Sequence, residues 1–430
     1  MKKLFVARQP NLFEKFAFPH FKINEDYKII DAVLEDETIV MELAKDFPDV
    51  ATGRNRTPIE QTLRFIVLKT QKQLDYRSME RTLQNNLEDR WFCKINEETP
   101  CFKTIQNQIS TVSDKTMHAI NDRIIKEARI RKFTKGKKMR IDSTITESNI
   151  HYPTDSSLLV DAMRLVVRTV KRSKQAIPSG FRTFKRKIRY AQNIIRTIGR
   201  RNKEAREKAI RELMEMGKHI ARTSKHIHQR TITKQRILLE RIIAQTETVL
   251  SGIRVKERIV SIFETSARPF RKGKAGKKVE FGQEAQIVED EHFITSWAIH
   301  NKPSDTAYFA TAFKKHKHVH GKLPREVAAD RGYWSPENQQ AAKDAGVIHI
   351  SIAKKGKKAH PEEETTNLRK WKSLQRWRAG GEAKISLLKR KYGLTRSYYH
   401  GQTGMALCVG AGVIACNLAT FARMAMVTGP

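Results

Sequence analysis

The chain is 430 residues long and carries 83 Lys and Arg against 46 Asp and Glu, a net charge of +37. With 39% hydrophobic and 30% charged residues it has a globular composition, enough for about two to four domains, and this excludes a mainly disordered basic tail. Its four cysteines, Cys93, Cys101, Cys408 and Cys416, show no C-x-x-C spacing, which argues against a zinc or dithiol motif and for reduced, intracellular thiols. So large a cationic excess calls for a polyanion, because neutralising phosphates releases condensed counterions.

The N-terminal stretch MKKLFVARQPNLFEKF has neither a long apolar run nor a small-residue cleavage site, so no signal peptide is expected. Residues 1–50 hold seven basic and ten acidic residues, a net of −3, and are not the main phosphate footprint. Residues 57–130 have helical apolar spacing. Thr57-Pro58-Ile59-Glu60 offers an N-cap, a Pro at the first helical position and an acid in the first turn ahead of Leu63, Ile66 and Val67. Tyr76 to Leu83 opens a second helix, with Ser78 as its expected cap and an end near Asn86. Helix, short turn and helix suits a helix-turn-helix DNA reader and equally a small helical bundle.

After the basic hinge Lys135-Gly-Lys-Lys, residues 139–146 alternate, with Ile141, Ser143 and Ile145 on one face and Arg140, Asp142 and Thr144 on the other. This is a strand with one carboxylate on its polar face. His151 and Asp155 follow closely enough to border a site there, although a helix-capping role suits Asp155 better. Residues 161–250 then hold 24 Lys and Arg against seven acids, a net of +17, with apolar residues at helical spacing (Leu165, Val166, Val170; Ile237, Leu238, Ile242, Ile243) and a break at Pro178-Ser-Gly. Long amphipathic helices that contact phosphate are expected, with Arg182, Lys185, Arg186, Lys187 and Arg189 assigned to DNA.

The strand pattern resumes over residues 278–288, and an acidic turn, Glu289-Asp-Glu, joins it to a second strand over 293–299 as a hairpin. A helix from Asn301 to about His316, a short strand Glu326 to Ala329 that delivers Asp330, a Ser335-capped helix to Asp344, a strand over 347–352 and a charged helix from about Glu364 to Tyr392 carrying Glu382 complete the order. His316, His318 and His320 read as a basic loop, a better fit than a metal site. The Gly-Lys runs at 272–278 and 353–358 lack Walker spacing and read as phosphate-facing loops, with no ATP implied. Met405 to Ala422 is apolar but rich in Gly and Ala and interrupted by Asn417 and Thr420, so a buried helix is expected and a membrane span is not.

Without the helical insertion, the order is that of a ribonuclease H-like core, in which carboxylates from non-adjacent elements converge outside strand ends. An Asp on a first strand, an Asp ending a later strand and a Glu on a final helix suit phosphodiester chemistry. Mg²⁺ takes hard oxygen ligands, and three carboxylates can hold two such ions ~3.5–4 Å apart for an in-line displacement. Three acids among 46 are a weak signal alone, since an Asp at a strand end is more often a cap.

The local words add to it. Arg140-Ile-Asp142-Ser-Thr, Val327-Ala-Ala-Asp330-Arg-Gly-Tyr and Arg378-Ala-Gly-Gly-Glu382 with Lys389 resemble the three catalytic blocks of bacterial insertion-sequence DDE transposases with a ribonuclease H-like domain. Asn149 to Leu159, Gly273 to Gly282 and Asn301 to Asp305 support the resemblance, and the N-terminal part is similar to the helical domain that precedes the core in these enzymes. The resemblance implies that Asp142, Asp330 and Glu382 are a catalytic triad binding two Mg²⁺ ions, for which Mn²⁺ can substitute. It further implies a transposase acting on the terminal inverted repeats of its element and on target DNA, in the bacterial cytoplasm at the nucleoid, as a homodimer or larger assembly and without a membrane. Two departures stand out. Gln375 occupies the position where many relatives have an aromatic residue, with Trp377 beside Arg378 instead, and the insertion follows the first strand where many relatives carry theirs before the final helix.

Around the triad, Arg378 and Lys389 share a helix face with Glu382 and are expected on phosphate, although an Arg378–Glu382 pair is the simpler alternative. Tyr333 and Trp334 are placed either to stack a flipped base or in the core. The expected architecture is thus α/β, with a ribonuclease H-like mixed sheet. It comprises an N-terminal all-helical DNA-binding or dimerisation domain (1–134), a first core segment (135–155), a basic helical insertion after the first strand (156–265), the rest of the core (266–400) and a C-terminal apolar helix (401–430). A metal-dependent nuclease that cuts without joining, and a non-catalytic DNA-binding protein, are the competing functions.

Overall fold

A computed structural model of the chain describes residues 3–6, 22–49, 57–96, 98–173, 184–200, 202–271, 279–300, 308–354 and 368–428. They form a mostly helical α/β protein with one mixed sheet, divided into two compact units: Met1–Glu147 with Gln283–Pro430, and Ser148–Gly282.

The first unit opens with helices α1 (Glu25–Leu34), α2 (Glu37–Ala44), α3 (Glu60–Gln71), α4 (Tyr76–Asn85), α5 (Leu87–Phe92), α6 (Phe102–Thr111) and α7 (Asp114–Ile130). Two expected caps are displaced. α3 starts after Ile59, with no side-chain cap, so Thr57 does not serve; α4 is capped by Asp75, which accepts from the amides of Arg77 and Ser78, while Ser78 donates its hydroxyl to Asp75. Every residue of α3 from Glu60 to Leu68 is buried, including Arg64, which pairs with Asp31. This leaves α4 as the more exposed helix of the pair.

Strand β1 (Lys138–Ser148) leads into the second unit, whose helices α8 (Asp155–Arg172), α9 (Phe184–Ile198), α10 (Lys203–Ser224) and α11 (Arg230–Leu250) enclose one apolar cluster that includes Leu159, Val166, Ile194, Leu213, Ile220 and Leu239. The cap of α8 is Thr154, in a reciprocal pair with Ser157; Asp155 is its first helical residue and pairs with Arg258 at 2.7 Å, so the capping role assigned to Asp155 belongs to its neighbour. The break at Pro178-Ser-Gly, Arg182 and the side chain of Lys185 lie outside the described residues.

Strand β2 (Arg268–Phe270) pairs with the start of β3 (Glu280–Glu289), and β3 forms the expected antiparallel hairpin with β4 (Ile294–His300). Then come α12 (Phe309–His320), β5 (Glu326–Ala329), a 3-10 turn (Arg331–Tyr333), α13 (Pro336–Asp344), β6 (His349–Ile352), α14 (Leu368–Lys391), β7 (Arg396–Ser397) and α15 (Gly401–Thr428). The sheet runs β2-β3-β1-β5-β6, with β4 on β3 and β7 on β1; β1, β5 and β6 are parallel neighbours. Met139 and Ile141 point into a cluster with Phe309, Phe313 and Tyr333, while α14 packs beside β5 and β6. The stretch expected as a basic loop at His316 to His320 is the end of α12, because the i, i+4 spacing of His316 and His320 lays both rings on its buried face. The Asn301 to Asp305 and Gly-Lys stretches lie outside the described residues, apart from Ala353 and Lys354.

α15 is long and apolar enough to cross a membrane, yet 94% of its most apolar window is buried within the protein. It joins α1, α3 and α7 in a single apolar cluster, where Phe421 meets Phe133 edge-on, so the C-terminal helix and the N-terminal helices share one core. Asn417 within it is fully buried and satisfied: it accepts from the Ile294 amide at 2.9 Å and donates to Ile294 O and to Asn121 Oδ1, both at 2.8 Å. That explains the polar interruption of an apolar helix, since a buried amide is stable only when bonded.

Candidate active site

Parallel pairing aligns Ile141 of β1 with Ala329 of β5, so Asp142 and Asp330 come next on neighbouring strands, at the C-terminal end of the β1–β5 pairing. Each carboxylate uses Oδ1 to accept the amide that follows it, Ser143 N or Arg331 N, both at 2.8 Å, and Asp330 thereby caps the 3-10 turn. The capping role weighed for a strand-end Asp is thus present at Asp330. Glu382 arrives on α14, whose Arg378 spans two acids, 3.9 Å from Asp330 Oδ1 and 3.7 Å from Glu382 Oε1. The Arg378–Glu382 pair expected from i, i+4 spacing therefore exists, with a second acid added to it.

What seats α14 against β1 is Arg140, two residues before Asp142 on the same face. Its Nη2 lies 2.5 Å from Glu289 of β3, its Nη1 donates to the Trp377 carbonyl at 2.8 Å, and its guanidinium stands 5.0 Å from the Trp377 ring centre. Burial raises the Glu289 pKa, and the adjacent Arg140 charge opposes that rise. Gly380 and Gly381 make the approach possible. A Cβ at Gly380 would stand 3.0 Å from Arg140 Nη1, and one at Gly381 would stand 3.5 Å from Arg140 Nε and 3.8 Å from Asp142 Oδ2. Sequence reasoning missed this residue: Arg140 and Trp377 are 237 positions apart, and only the paired glycines hinted at a close contact. Gln375, the first departure from the family pattern, donates to Ser351 O at 2.8 Å and ties α14 to β6, while Trp377 forms the platform under Arg140.

The remaining assigned residues divide. Tyr333 is 1% exposed, packs near Phe309 and accepts from Gln286 Nε2 at 3.1 Å, so base stacking is closed to it and the core alternative holds. Trp334 is partly exposed, with Lys354 Nζ 5.3 Å from its ring centre. Arg378 is mostly covered, and its Nε is a buried donor without a hydrogen-bond acceptor, so a further anion can be accommodated. Lys389 lies partly buried on the same helix. Arg186 and Arg189 are exposed on α9 and Lys187 is partly so. His151 and Asp155 belong to the helical unit, where His151 lies 3.5 Å from Asp161.

Chemically the three acids offer only hard oxygen donors, the set Mg²⁺ prefers. Among the described residues no three His, Cys, Asp or Glu side chains stand close enough to hold a metal together, and here the Arg378 cation sits beside two of the acids. The donor type suits Mg²⁺, while Glu382, whose side chain is 72% exposed, faces Arg378.

Residues 18–110 match the family model of a transposase domain (DUF772). The match supports a transposase family; it spans helices α1 to α6 and stops short of Asp142, Asp330 and Glu382. No curated protein and no solved structure matches the chain.

Proposed function

We propose that the protein is a DDE transposase with a ribonuclease H-like core, which cuts DNA at the ends of its element and joins the freed 3′-OH to target DNA. The observation that carries this reading is that Asp142, within β1, and Asp330, just past β5, lie side by side where the parallel pairing of these strands ends, with the Arg378–Glu382 turn of α14 beside them. The sheet supports it too, with the antiparallel β3–β4 hairpin on one side of β1 and parallel β5 and β6 on the other.

In this reading Asp142, Asp330 and Glu382 would hold two Mg²⁺ ions, which would supply Lewis-acid stabilisation of developing negative charge. The protein's own groups do the positioning. Arg378 gives up Glu382 and takes two phosphate oxygens bidentately through Nη2 and Nε, which also satisfies its buried Nε. Lys389 adds a point charge on the same helix. Arg140 keeps α14 seated on β1 throughout, so that the three carboxylates move by side-chain rotation alone. Cleavage and joining use one site in succession, and two element ends call for two copies of the chain.

The test is single replacement of Asp142→Asn, Asp330→Asn and Glu382→Gln, assayed on DNA carrying the sequences that flank the coding region. Each should lower Mg²⁺-dependent cleavage by at least about 10²-fold while duplex binding persists, and calorimetric Mn²⁺ binding should weaken in parallel. Cleavage surviving all three changes removes the site assignment. Cleavage without joined product, from pre-cut ends, assigns the chain to a nuclease instead.

A further inference from the structure

A cavity of about 520 Å³ opens where α7 gives way to β1, lined by Lys126, Arg129, Ile130, Lys132, Thr134, Lys135, Lys137 and Lys322. Six of those eight residues are cations and none is an acid. Ordinary surface lysines are solvated and mobile, so the question is whether this cluster is held in place, and it is. Thr134 donates to Asp290 at 2.7 Å, the amides of Gly136 and Lys137 donate to Glu291 at 3.1 and 2.8 Å, and His316 Nε2 donates to Gly136 O at 3.1 Å. The Lys137 carbonyl accepts the Arg325 amide at 2.8 Å. Gly136 has φ +58°, and a Cβ there would stand 2.5 Å from the His320 ring, so the hinge rests directly on that buried histidine.

The acids beside the hinge are all turned to other work. Glu291 faces backbone amides, Asp290 is buried against Thr134 and His320, and Glu127 pairs with Arg131 at 2.9 Å. Among the described residues no carboxylate pairs with Lys126, Lys132, Lys135, Lys137 or Lys322, and all five are exposed. The buried Asp290 and the partly exposed Glu291 thus fix the backbone of a hinge whose lysines face outward.

We infer that this hinge is a second binding site for duplex DNA, engaging the phosphate backbone apart from the strand being cut. The inference rests on the transposase reading for its ligand, and its location is independent of that reading. Lys137 precedes β1 and Lys322 precedes β5, whereas Asp142 and Asp330 lie at the other ends of the pairing; five residues of strand separate Lys137 from Asp142 by about 16 Å. Lys126 and Arg129 stand on the last turns of α7, Lys132 follows in the turn that ends it, and Lys135, Lys137 and Lys322 come from the chain leading into β1 and β5. Cations spread over a helix end and two strand entries fit a DNA backbone better than a single free phosphate.

The decisive variant is Lys132→Gln, Lys135→Gln, Lys137→Gln and Lys322→Gln together in the full chain, compared with Lys314→Gln, Lys317→Gln, Lys343→Gln and Arg423→Gln, exposed cations whose loss removes the same charge elsewhere. Binding to a 40-base-pair duplex would be titrated by fluorescence anisotropy from 50 to 200 mM salt. Wild type and control should show the same salt slope, and the hinge variant a slope smaller by about 3 to 4, so that wild-type affinity falls about 10²-fold further over that range. Cleavage at saturating DNA should be unchanged. If circular dichroism shows the fourfold variant unfolded, the pair Lys132→Gln and Lys322→Gln serves, with a slope smaller by about 2. An unchanged slope with intact binding overturns the hinge site and leaves the transposase reading standing; a wild-type chain that binds no duplex overturns both.

Discussion

The helical unit Ser148–Gly282 and the unit built from the two flanking segments use the same basic composition in opposite ways. Along α8 to α11 the apolar residues face one cluster and most cations face out, with Arg186 and Arg189 exposed and adding surface potential, while Arg206, which donates to the Ile198 and Gly199 carbonyls, and Arg258, paired with Asp155, are exceptions. In the other unit charge is drawn inside. Arg64 meets Asp31, Lys72 meets the buried Asp89 at 2.6 Å, Arg140 meets Glu289 at 2.5 Å and His320 lies 3.3 Å from Asp290. Buried pairs of this kind add little net stability over apolar side chains, but breaking one is costly, so they fix geometry more than they add energy. The acidic turn after β3 is the clearest case: Glu289 orients the helix carrying Glu382, Asp290 orders the turn itself, and Glu291 holds the basic hinge.

The contrast breaks most visibly at Arg140. Arg140→Met leaves Glu289 buried without its partner and should cost about 3–5 kcal/mol in urea denaturation. Adding Glu289→Gln should recover most of that loss, while cleavage stays impaired because the tether to the Trp377 carbonyl is still missing. A single mutant that loses under 1 kcal/mol would show that the pair does not organise this unit.

Acid should expose the same difference. Burial pushes His316 down to about 4, aided by the neighbouring His320, and burial pushes His118, stacked on Trp297 near Lys315, down to about 3. Between pH 6.5 and 4 the unfolded chain therefore takes up a proton on His316 that the folded chain refuses, so stability falls as pH falls through that window. About 3 kcal/mol is at stake from His316 alone. Denaturation midpoints measured from pH 7 to 4.5 should flatten in His316→Gln, and parallel curves for variant and wild type would remove His316 as the titrating group.

Within the apolar core, Asn417→Leu strips the Ile294 amide of its partner, leaves the Ile294 carbonyl only its bond from Asn121 and leaves Asn121 Oδ1 without the Asn417 donor, which should cost about 2 kcal/mol by thermal denaturation. The α15 sequence was legible as a buried helix because its Gly and Ala content and its two polar positions argue against lipid. β5 and Asp330 were equally legible, since Glu326-Val-Ala-Ala is a short buried run ended by a charge. The misreadings share a cause. At His316 to His320 the lysines between the rings resembled a loop, whereas the i, i+4 spacing of the two buried rings carried the helical signal. Arg140 stands in the first catalytic block, but its tethering role is not legible there because its partners, Glu289 and Trp377, come from segments that only tertiary packing brings to β1. Local pattern reveals which residues lie on one element. It does not reveal which charge another element has come to meet.

The smallest effect on stability should come from the helical unit, and it is the sharpest test of the contrast. Arg186→Gln with Arg189→Gln removes two exposed cations from α9 and touches neither the apolar cluster nor a buried pair. Folding stability should stay within about 0.5 kcal/mol of wild type, as for surface changes generally. If these side chains meet phosphate, duplex affinity should nevertheless fall, with a salt slope smaller by about 2, since each lost contact releases about 0.9 fewer counterions. Stability and affinity measured on one preparation separate the two uses of charge: in this unit affinity should move and stability should not, whereas Arg140→Met should move stability first. A loss of several kcal/mol from the α9 pair would mean that its cations are structural, and that the two units do not differ in the way their charge is deployed.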